Sequence, residues 1–192
     1  MAEPSKSVSP PPVPTAGVAA TRYVFPVDGN VDYGHVHALY PATDIIAPCG
    51  ATVRSAVDGM VIEVSRIDRF DPAHPDGATK GGMFVSILGL DGVRYYGAHL
   101  SAIMPFVAPG AVVKAGTVIG RIGHTGNANN ICHLHFAISP PCKTAGDWWI
   151  RRGVIYPWRY LDSWRAKGQR SPAAEVAAWL RQHGCPAKPA GG

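Results

Sequence analysis

Short runs rich in valine and isoleucine, separated by glycine-containing turns, restrict this chain to a fold built mainly from β-strands. Asp-Gly is a strong signal for a tight hairpin turn, and it occurs twice between such runs. The pattern predicts one hairpin of residues 53–57 with 60–64 through Asp58-Gly59, and another of residues 84–90 with 93–99 through Asp91-Gly92. The sequence therefore predicts antiparallel β-sheets.

The segment Cys132-His133-Leu134-His135-Phe136 carries two imidazoles two residues apart. Successive side chains of a strand point to opposite faces, so His133 and His135 share one face while Leu134 and Phe136 occupy the other, buried face. A His-x-His pair alone is about as often a pair of ordinary surface or core histidines as a site. Its meaning depends on the residues that accompany it.

Asp44 and His99 are the residues that would complete a site. Asp44 enters an apolar stretch, where a carboxylate is costly unless it is bound or paired, although a hydrogen-bonded turn aspartate fits the same pattern. His99 ends the alternating run that starts at Val93, a place where a lone histidine is more often structural. Imidazole and carboxylate ligands without a thiolate suit Zn²⁺, and three protein ligands leave the fourth position for water.

A series of short motifs gives these residues a common context. The motifs are TDI at 43–45, GATV at 50–53, VDGMV at 57–61, YGAHLS at 96–101, VKAG at 113–116, IG at 119–120, GHTG at 123–126 and HLHF at 133–136. In this order they resemble the lysostaphin-like (LytM-type) zinc metallopeptidases, many of which cut the peptides of bacterial peptidoglycan. The resemblance implies a β-sandwich with an open groove. It also implies that Asp44 and His135 bind the metal, while His99 and His133 stay metal-free and assist catalysis.

The first metal ligand departs from the family pattern. The family usually has a histidine four residues before the aspartate, where this chain has Tyr40. His37 lies three residues further upstream and His35 two beyond that, so a longer loop through residues 40–41 would deliver His37 instead. We predict His37 as the third ligand. Weak binding by Tyr40 itself, or a degenerate site with ordinary loop histidines, are the alternatives.

The four cysteines, Cys49, Cys132, Cys142 and Cys185, allow three complete disulfide connectivities and form no Cys-x-x-Cys metal motif. A bridge between Cys49 and Cys132 would brace two ligand segments, because Cys49 lies shortly after Asp44 and Cys132 directly precedes the histidine strand. Cys142 would then pair with Cys185 and pin the C-terminal helix. Disulfides indicate an oxidising, extracytoplasmic compartment; free buried thiols are the alternative.

Length and composition predict one β domain with appended tails. Residues 1–21, rich in proline, read as a flexible linker, residues 22–143 as the peptidase-like domain, and residues 144–192 as an aromatic and basic extension. No run of some eighteen apolar residues predicts a membrane span, and the N-terminus lacks a basic-then-apolar signal pattern, as expected of a mature form. The formal net charge of +5 suits an anionic cell wall but equally other acidic partners. No stripe of basic and aromatic residues predicts a nucleic-acid face.

Two flanking segments complete the sequence prediction. Residues 68–82 are too rich in Asp, Pro and Gly for a regular element and read as a long loop beside the groove. The extension is dense in aromatics, which we expect to pack on the sheet rather than to stack on carbohydrate. Ser171-Pro172 and Gly184 bound one helix over residues 173–183, whose inward stripe would be Val176, Trp179, Leu180 and His183.

The resemblance implies a zinc-dependent endopeptidase that acts on peptidoglycan stem or cross-bridge peptides. The alternative is a catalytically degenerate module that binds cell wall or regulates another hydrolase, and Tyr40 is the residue that keeps this alternative open.

Overall fold

The computed structural model describes residues 21–188. The predicted linker, residues 1–21, lies outside the described residues except for its last residue. None of the helices formed by the described residues is long and apolar enough to cross a membrane.

Two antiparallel sheets form the body of the protein. A seven-stranded sheet has the order β1-β2-β10-β6-β5-β4-β8, and a three-stranded sheet has the order β3-β9-β7. The strands are β1 (Asp32–Tyr33), β2 (Thr43–Ile46), β3 (Thr52–Arg54), β4 (Gly59–Ser65), β5 (Phe84–Gly89), β6 (Arg94–Ala98), β7 (Leu100–Ile103), β8 (Val112–Val113), β9 (Val118–Ile122) and β10 (His133–Ser139). The prediction of a mainly antiparallel β fold is confirmed.

One of the two predicted hairpins forms and the other does not. β5 pairs with β6 around Asp91-Gly92, where Gly92 has a φ of 75° that favours glycine. The prediction of a hairpin through Asp58-Gly59 is wrong, because β3 pairs with β9 while β4 pairs with β5. Gly59 serves close packing instead, since a Cβ there would collide with the carbonyl oxygen of Leu88. Residue 58 therefore marks a crossing from one sheet to the other.

The main hydrophobic core lies between the two sheets. Its members from the large sheet include Ile45, Val85, Tyr95, Leu134 and Phe136, and those from the small sheet include Val53, Leu100, Ile119 and Ile122. Leu134 and Phe136 are buried there, so the face of β10 that carries His133 and His135 is the one turned away from this core. The predicted division of that strand into two faces is confirmed.

The C-terminal extension contains three helices where the sequence predicted one. They are α1 (Trp148–Arg151), α2 (Trp158–Arg165) and α3 (Ala173–His183). Trp164 of α2 stacks on Tyr23 with ring centroids 5.4 Å apart and meets Phe136 edge-on at 6.2 Å. The two short helices were missed because four and eight residues are too few to show a helical period.

The expectation that the aromatics of the extension pack on the sheet is confirmed for Tyr160 and Trp164, which belong to the main core, whereas Trp148 is buried outside that core. The helix over residues 173–183 is confirmed at both ends. Its predicted inward stripe is only partly right. Val176 is buried and Trp179 packs half-buried against the core, whereas Leu180 and His183 are exposed.

Both predicted disulfides, Cys49–Cys132 and Cys142–Cys185, are present, and no free cysteine occurs. The first closes a loop of 83 residues between the end of the β2 segment and the start of β10. The second ties the segment before α1 to the segment after α3. Each cross-link restricts the unfolded chain and stabilises the fold.

A buried ion pair fixes the extension to the large sheet. Arg94 of β6 and Asp147, which precedes α1, are both about fully buried and join through two hydrogen bonds, Nη1 to Oδ1 at 2.5 Å and Nη2 to Oδ2 at 2.9 Å. Arg94 Nε also donates to the Ser139 hydroxyl on β10. The paired geometry satisfies both charges, which are costly to bury separately.

Replacing one partner of this pair should destabilise the protein strongly. We expect Asp147→Asn to lower the free energy of unfolding by about 3–5 kcal/mol, because the Arg94 guanidinium is left buried without its counter-charge. Asp28→Asn, which breaks the more exposed Arg54–Asp28 pair, should cost at most about 1 kcal/mol. Urea unfolding of both variants measures the two losses, and equal losses would contradict the role of the buried pair.

Candidate metal centre

The register of β10 places the candidate residues side by side. β10 lies between β2 and β6, with His135 directly opposite Asp44 on one side and Ala98 on the other. Directly opposite residues of an antiparallel pair share a face and have Cβ atoms about 4.5–5.5 Å apart. His133 shares this face with His135, and His99 follows Ala98 at the end of β6. The pairing of β10 with β2 and β6 thus brings together His133, His135, Asp44 and His99.

Three side chains converge closely enough to hold one metal ion. The potential ligand atoms of His37, Asp44 and His135 all lie within 4.8 Å of one another. His135 Nδ1 is 2.9 Å from Asp44 Oδ1, and His37 Nε2 is 3.8 Å from Asp44 Oδ2. We call these three residues the triad.

The hydrogen bonds of His135 show that the triad suits a cation. His135 Nε2 lies 3.1 Å from the carbonyl oxygen of Arg152, which can only accept, so Nε2 carries the proton. Nδ1 of the neutral ring is then an acceptor that faces the carboxylate of Asp44, another acceptor. A cation between these two acceptor atoms, or a second proton on the ring, would remove the repulsion between them. Holding one nitrogen by a backbone carbonyl is how proteins orient metal-binding histidines.

The loop before β2 brings His37, rather than His35, to the triad. The side chain of His37 is largely buried, and its Nδ1 has no hydrogen-bond partner within residues 21–188. His35 lies elsewhere: its side chain is 56% exposed, stacks on Trp158 and points Nε2 toward Asp162. The structure thus places His37, and not His35, beside Asp44 and His135.

Tyr40 lies beside the triad as a packing partner. Its ring centroid is 4.5 Å from that of His37 and 5.8 Å from that of His135. Burial raises the pKa of Tyr40 to about 12, so the phenol keeps its proton at neutral pH. A protonated phenol is a weaker ligand than the imidazole of His37.

Asp44 remains ionised next to these rings. Burial favours the neutral acid, but the neighbouring imidazoles of His135, His133 and His37 favour the carboxylate more strongly, with His135 donating a hydrogen bond when its Nδ1 carries the second proton, so the pKa of Asp44 is lowered. The triad therefore offers one carboxylate and two imidazoles.

His99 occupies a sharp junction between the two sheets. It lies between β6 of the large sheet and β7 of the small one, and its φ of 65° is in the left-handed region that few non-glycine residues adopt. Its backbone N–H donates to the carbonyl oxygen of Gly81, 3.0 Å away. Strain of this kind, of the order of 1–3 kcal/mol, persists where surrounding contacts enforce it and is common at functional sites.

His99 and His133 form a second pair of imidazoles next to the triad, with ring centroids 4.6 Å apart. His99 Nδ1 lies 2.7 Å from the carbonyl oxygen of Thr125, and His133 Nδ1 lies 2.8 Å from that of Ile131. Because carbonyls accept, both Nδ1 atoms carry the proton and both Nε2 atoms keep a free lone pair in the neutral rings. Burial and the neighbouring His135 and His133 lower the pKa of His99 to about 3.

A groove of about 350 Å³ contains all five of these residues. The predicted loop of residues 68–82 forms part of its wall through Gly77, Lys80 and Gly81. His74 and His124, which the sequence did not favour as ligands, are exposed and do not line the groove.

Sequence reasoning missed three groove residues from the extension, namely Trp148, Arg151 and Arg152. Arg151 pairs with Glu63 of β4 and covers the Phe84 ring at 4.0 Å. The density of aromatics and arginines was the available signal, but nothing in the sequence located it beside the histidines.

Known proteins share this sequence pattern and fold. Residues 39–145 match the sequence model of peptidase family M23. None of the curated proteins matches the chain.

Two solved structures illustrate the likeness of fold. The catalytic domain of the antimicrobial peptidase lysostaphin from Staphylococcus simulans is 24% identical, with a TM-score of 0.53, and the match covers 69% of this chain and 93% of that one. A putative peptidase M23 from Pseudomonas aeruginosa is 23% identical, with a TM-score of 0.53, and the match covers 79% of this chain and 53% of that one. This chain therefore matches about half of the Pseudomonas protein.

The buried, neutral His99 predicts that the metal-free protein loses stability in acid. Its pKa is about 3 in the folded protein and about 6.5 in the unfolded chain. The unfolded state therefore binds the proton first, and the stability present above pH 6.5 declines as the pH falls toward 3. At pH 5 the loss due to this group is about 2 kcal/mol.

The measurement is urea unfolding in a chelator at pH 7.5 and pH 5.0. His99→Asn should remove about 2 kcal/mol of the pH dependence. The matched control is His124→Asn, which alters an exposed histidine outside the groove and should leave the dependence unchanged. Identical pH dependence in the protein and in His99→Asn would contradict the prediction.

Proposed function

The chain belongs to peptidase family M23, and from this premise we propose that it is a zinc-dependent endopeptidase that hydrolyses peptide bonds in peptidoglycan stem or cross-bridge peptides. The observation that carries the proposal is the convergence of the triad with His99 and His133 in one groove. Metal-dependent hydrolysis needs both metal ligands and groups that transfer protons. A module that only binds cell wall has no need for both sets in one groove.

The donor set of the triad favours zinc. Two imidazoles and one carboxylate match the ligands of catalytic zinc sites, which leave one position open. His37, Asp44 and His135 would hold the ion, and the acceptor pair formed by His135 Nδ1 and Asp44 Oδ1 fits a cation. Zinc bound there would polarise the scissile carbonyl and lower the pKa of a water toward about 7.

His99 and His133 would manage the proton and the developing negative charge. Their Nδ1 atoms are fixed by the carbonyls of Thr125 and Ile131, so each ring presents Nε2 as the working atom. One Nε2 can take a proton from the attacking water and pass it to the leaving amine. The other, once protonated, can donate to the oxyanion.

The compartment and the substrate follow from other features. Two disulfides support a location outside the cytoplasm, where peptidoglycan lies. The resemblance to lysostaphin-like peptidases and the family membership support peptidoglycan peptides as the substrate class. The net charge of +5 is compatible with an anionic wall.

Zinc content tests the ligand set directly. We expect about one zinc per chain in protein purified without chelator, and its loss in His37→Ala, Asp44→Ala and His135→Ala. His35→Ala is the matched control, since this exposed neighbour stacks on Trp158 and should keep the metal. Elemental analysis gives the result. A zinc-free native protein would favour the degenerate binding module. Zinc retained by His37→Ala would show that a residue other than His37 supplies the third ligand.

Peptidase activity tests the two metal-free histidines. His99→Ala and His133→Ala should keep zinc but lose about 10²–10⁴ of the hydrolysis rate, the usual contribution of a positioned acid or base. Release of new amino groups from purified peptidoglycan measures the rate. His124→Ala, an exposed histidine outside the groove, should keep full activity. Full activity in His99→Ala or His133→Ala would refute the assignment of that residue.

A further inference from the structure

Arg152 is attached to the triad through its backbone. It follows directly after α1, and its carbonyl oxygen is the one that fixes His135 Nε2. The next residue, Gly153, has a φ of 126°, and a Cβ there would collide with the carbonyl oxygen of Pro41. The segment after α1 is therefore pressed against the segment that carries Tyr40.

The guanidinium of Arg152 is held between aromatic rings. Its central carbon lies 4.5 Å from the Tyr40 ring centroid and 5.3 Å from that of Trp148. Cation–π contacts of this kind orient the planar group through its faces, so its two Nη groups stay free to donate hydrogen bonds. Since Tyr40 also contacts the rings of His37 and His135, one side chain separates the guanidinium from the triad.

Arg152 is a half-buried cation without a counter-charge. Arg54, Arg94 and Arg151 each form an ion pair, but within residues 21–188 the Arg152 side chain makes no ion pair and no hydrogen bond. Its Nε is buried and unsatisfied. A charged group left in this way is costly unless a ligand completes it.

The surrounding groove has room and positive charge for such a ligand. Lys80 lines the same groove as Arg152. The nearby carboxylate of Glu63 is already paired with Arg151. The carboxylate of Asp44 is engaged within the triad, 2.9 Å from His135 Nδ1 and 3.8 Å from His37 Nε2. The N–H edge of a guanidinium matches a carboxylate through two parallel hydrogen bonds.

We propose that Arg152 binds a carboxylate of the substrate next to the scissile bond, so that the enzyme selects peptides with a free carboxylate near the cleavage point. This inference rests on the proposed function, because it assigns a subsite of the same groove. Arg152 is then a specificity-determining residue contributed from outside the matched family region, residues 39–145. The carboxylate is supplied either by the C-terminus of a stem peptide or by a side chain of it.

The test uses a synthetic peptidoglycan stem tetrapeptide in three forms: with both its C-terminal and its glutamyl carboxylates free, and with one or the other amidated. Calorimetric titration of the full chain in chelator measures binding without hydrolysis and without direct binding of the carboxylate to zinc. Amidation of the recognised carboxylate should weaken binding about tenfold to a hundredfold, as expected for hydrogen bonds between charged groups. The form that loses affinity identifies the source of the carboxylate.

Variants assign this preference to Arg152. Arg152→Gln should bring the ratio between free and amidated peptides close to 1, and Arg152→Lys should restore part of it, because lysine keeps the charge but lacks the planar fork. Arg159→Gln is the matched control, since Arg159 stacks on Trp158 in the same extension but outside the groove, and it should retain the full ratio.

The outcomes separate this inference from the proposed function. No preference for either free carboxylate in the native protein would overturn it, as would an equal loss of affinity for all three peptides in Arg152→Gln, which indicates a structural role. Preference in chelator without any hydrolysis in zinc would support the subsite and refute the peptidase. Hydrolysis without preference would refute the subsite alone.

Discussion

The register of β10 between β2 and β6 is the constraint on which the site depends. It sets His135 opposite Asp44 and next to the end of β6, where His99 follows. A slip of one residue would turn Leu134 and Phe136 toward the groove and both histidines into the core, which burial of apolar side chains forbids. The Cys49–Cys132 bridge adds a covalent restraint where β10 begins. One strand pairing thus sets both the packing of the core and the geometry of the candidate site.

The extension completes the site as well as the fold. The buried Arg94–Asp147 pair anchors the start of α1 to β6, and the residue after α1 orients His135 through its carbonyl. Removing the Arg94–Asp147 pair would therefore loosen both the groove wall and the orientation of His135. The wall also introduces charge, because Arg152 enters the groove unpaired among the described residues. A segment outside the family-matched region thus contributes a charged side chain to the groove.

His99 shows how conformational strain is retained at the junction of the two sheets. Its left-handed backbone is unfavourable for a histidine, yet it lets the chain pass from β6 to β7 while the ring remains beside His133. The bonds to Gly81 and Thr125 hold it from two loops, one of which is the long segment of residues 68–82. That loop, which has no regular structure of its own, is therefore part of the support of the candidate catalytic pair.

The sequence by itself determined whatever depends on neighbours along the chain: the two faces of β10, the Asp91-Gly92 hairpin, the helix of residues 173–183 and the motif order that identified the family. It also indicated Asp44, His99, His133 and His135, because their motifs match a known pattern, and His37, because it is the nearest histidine upstream of Tyr40, which stands where the family has a histidine. Only the tertiary structure decided that β3 and β4 lie in different sheets, since β3 pairs with β9 rather than forming a hairpin through Asp58-Gly59. It also placed Arg152 at the triad, a contact between segments distant in sequence that depends on how the extension packs and leaves no local pattern in the chain.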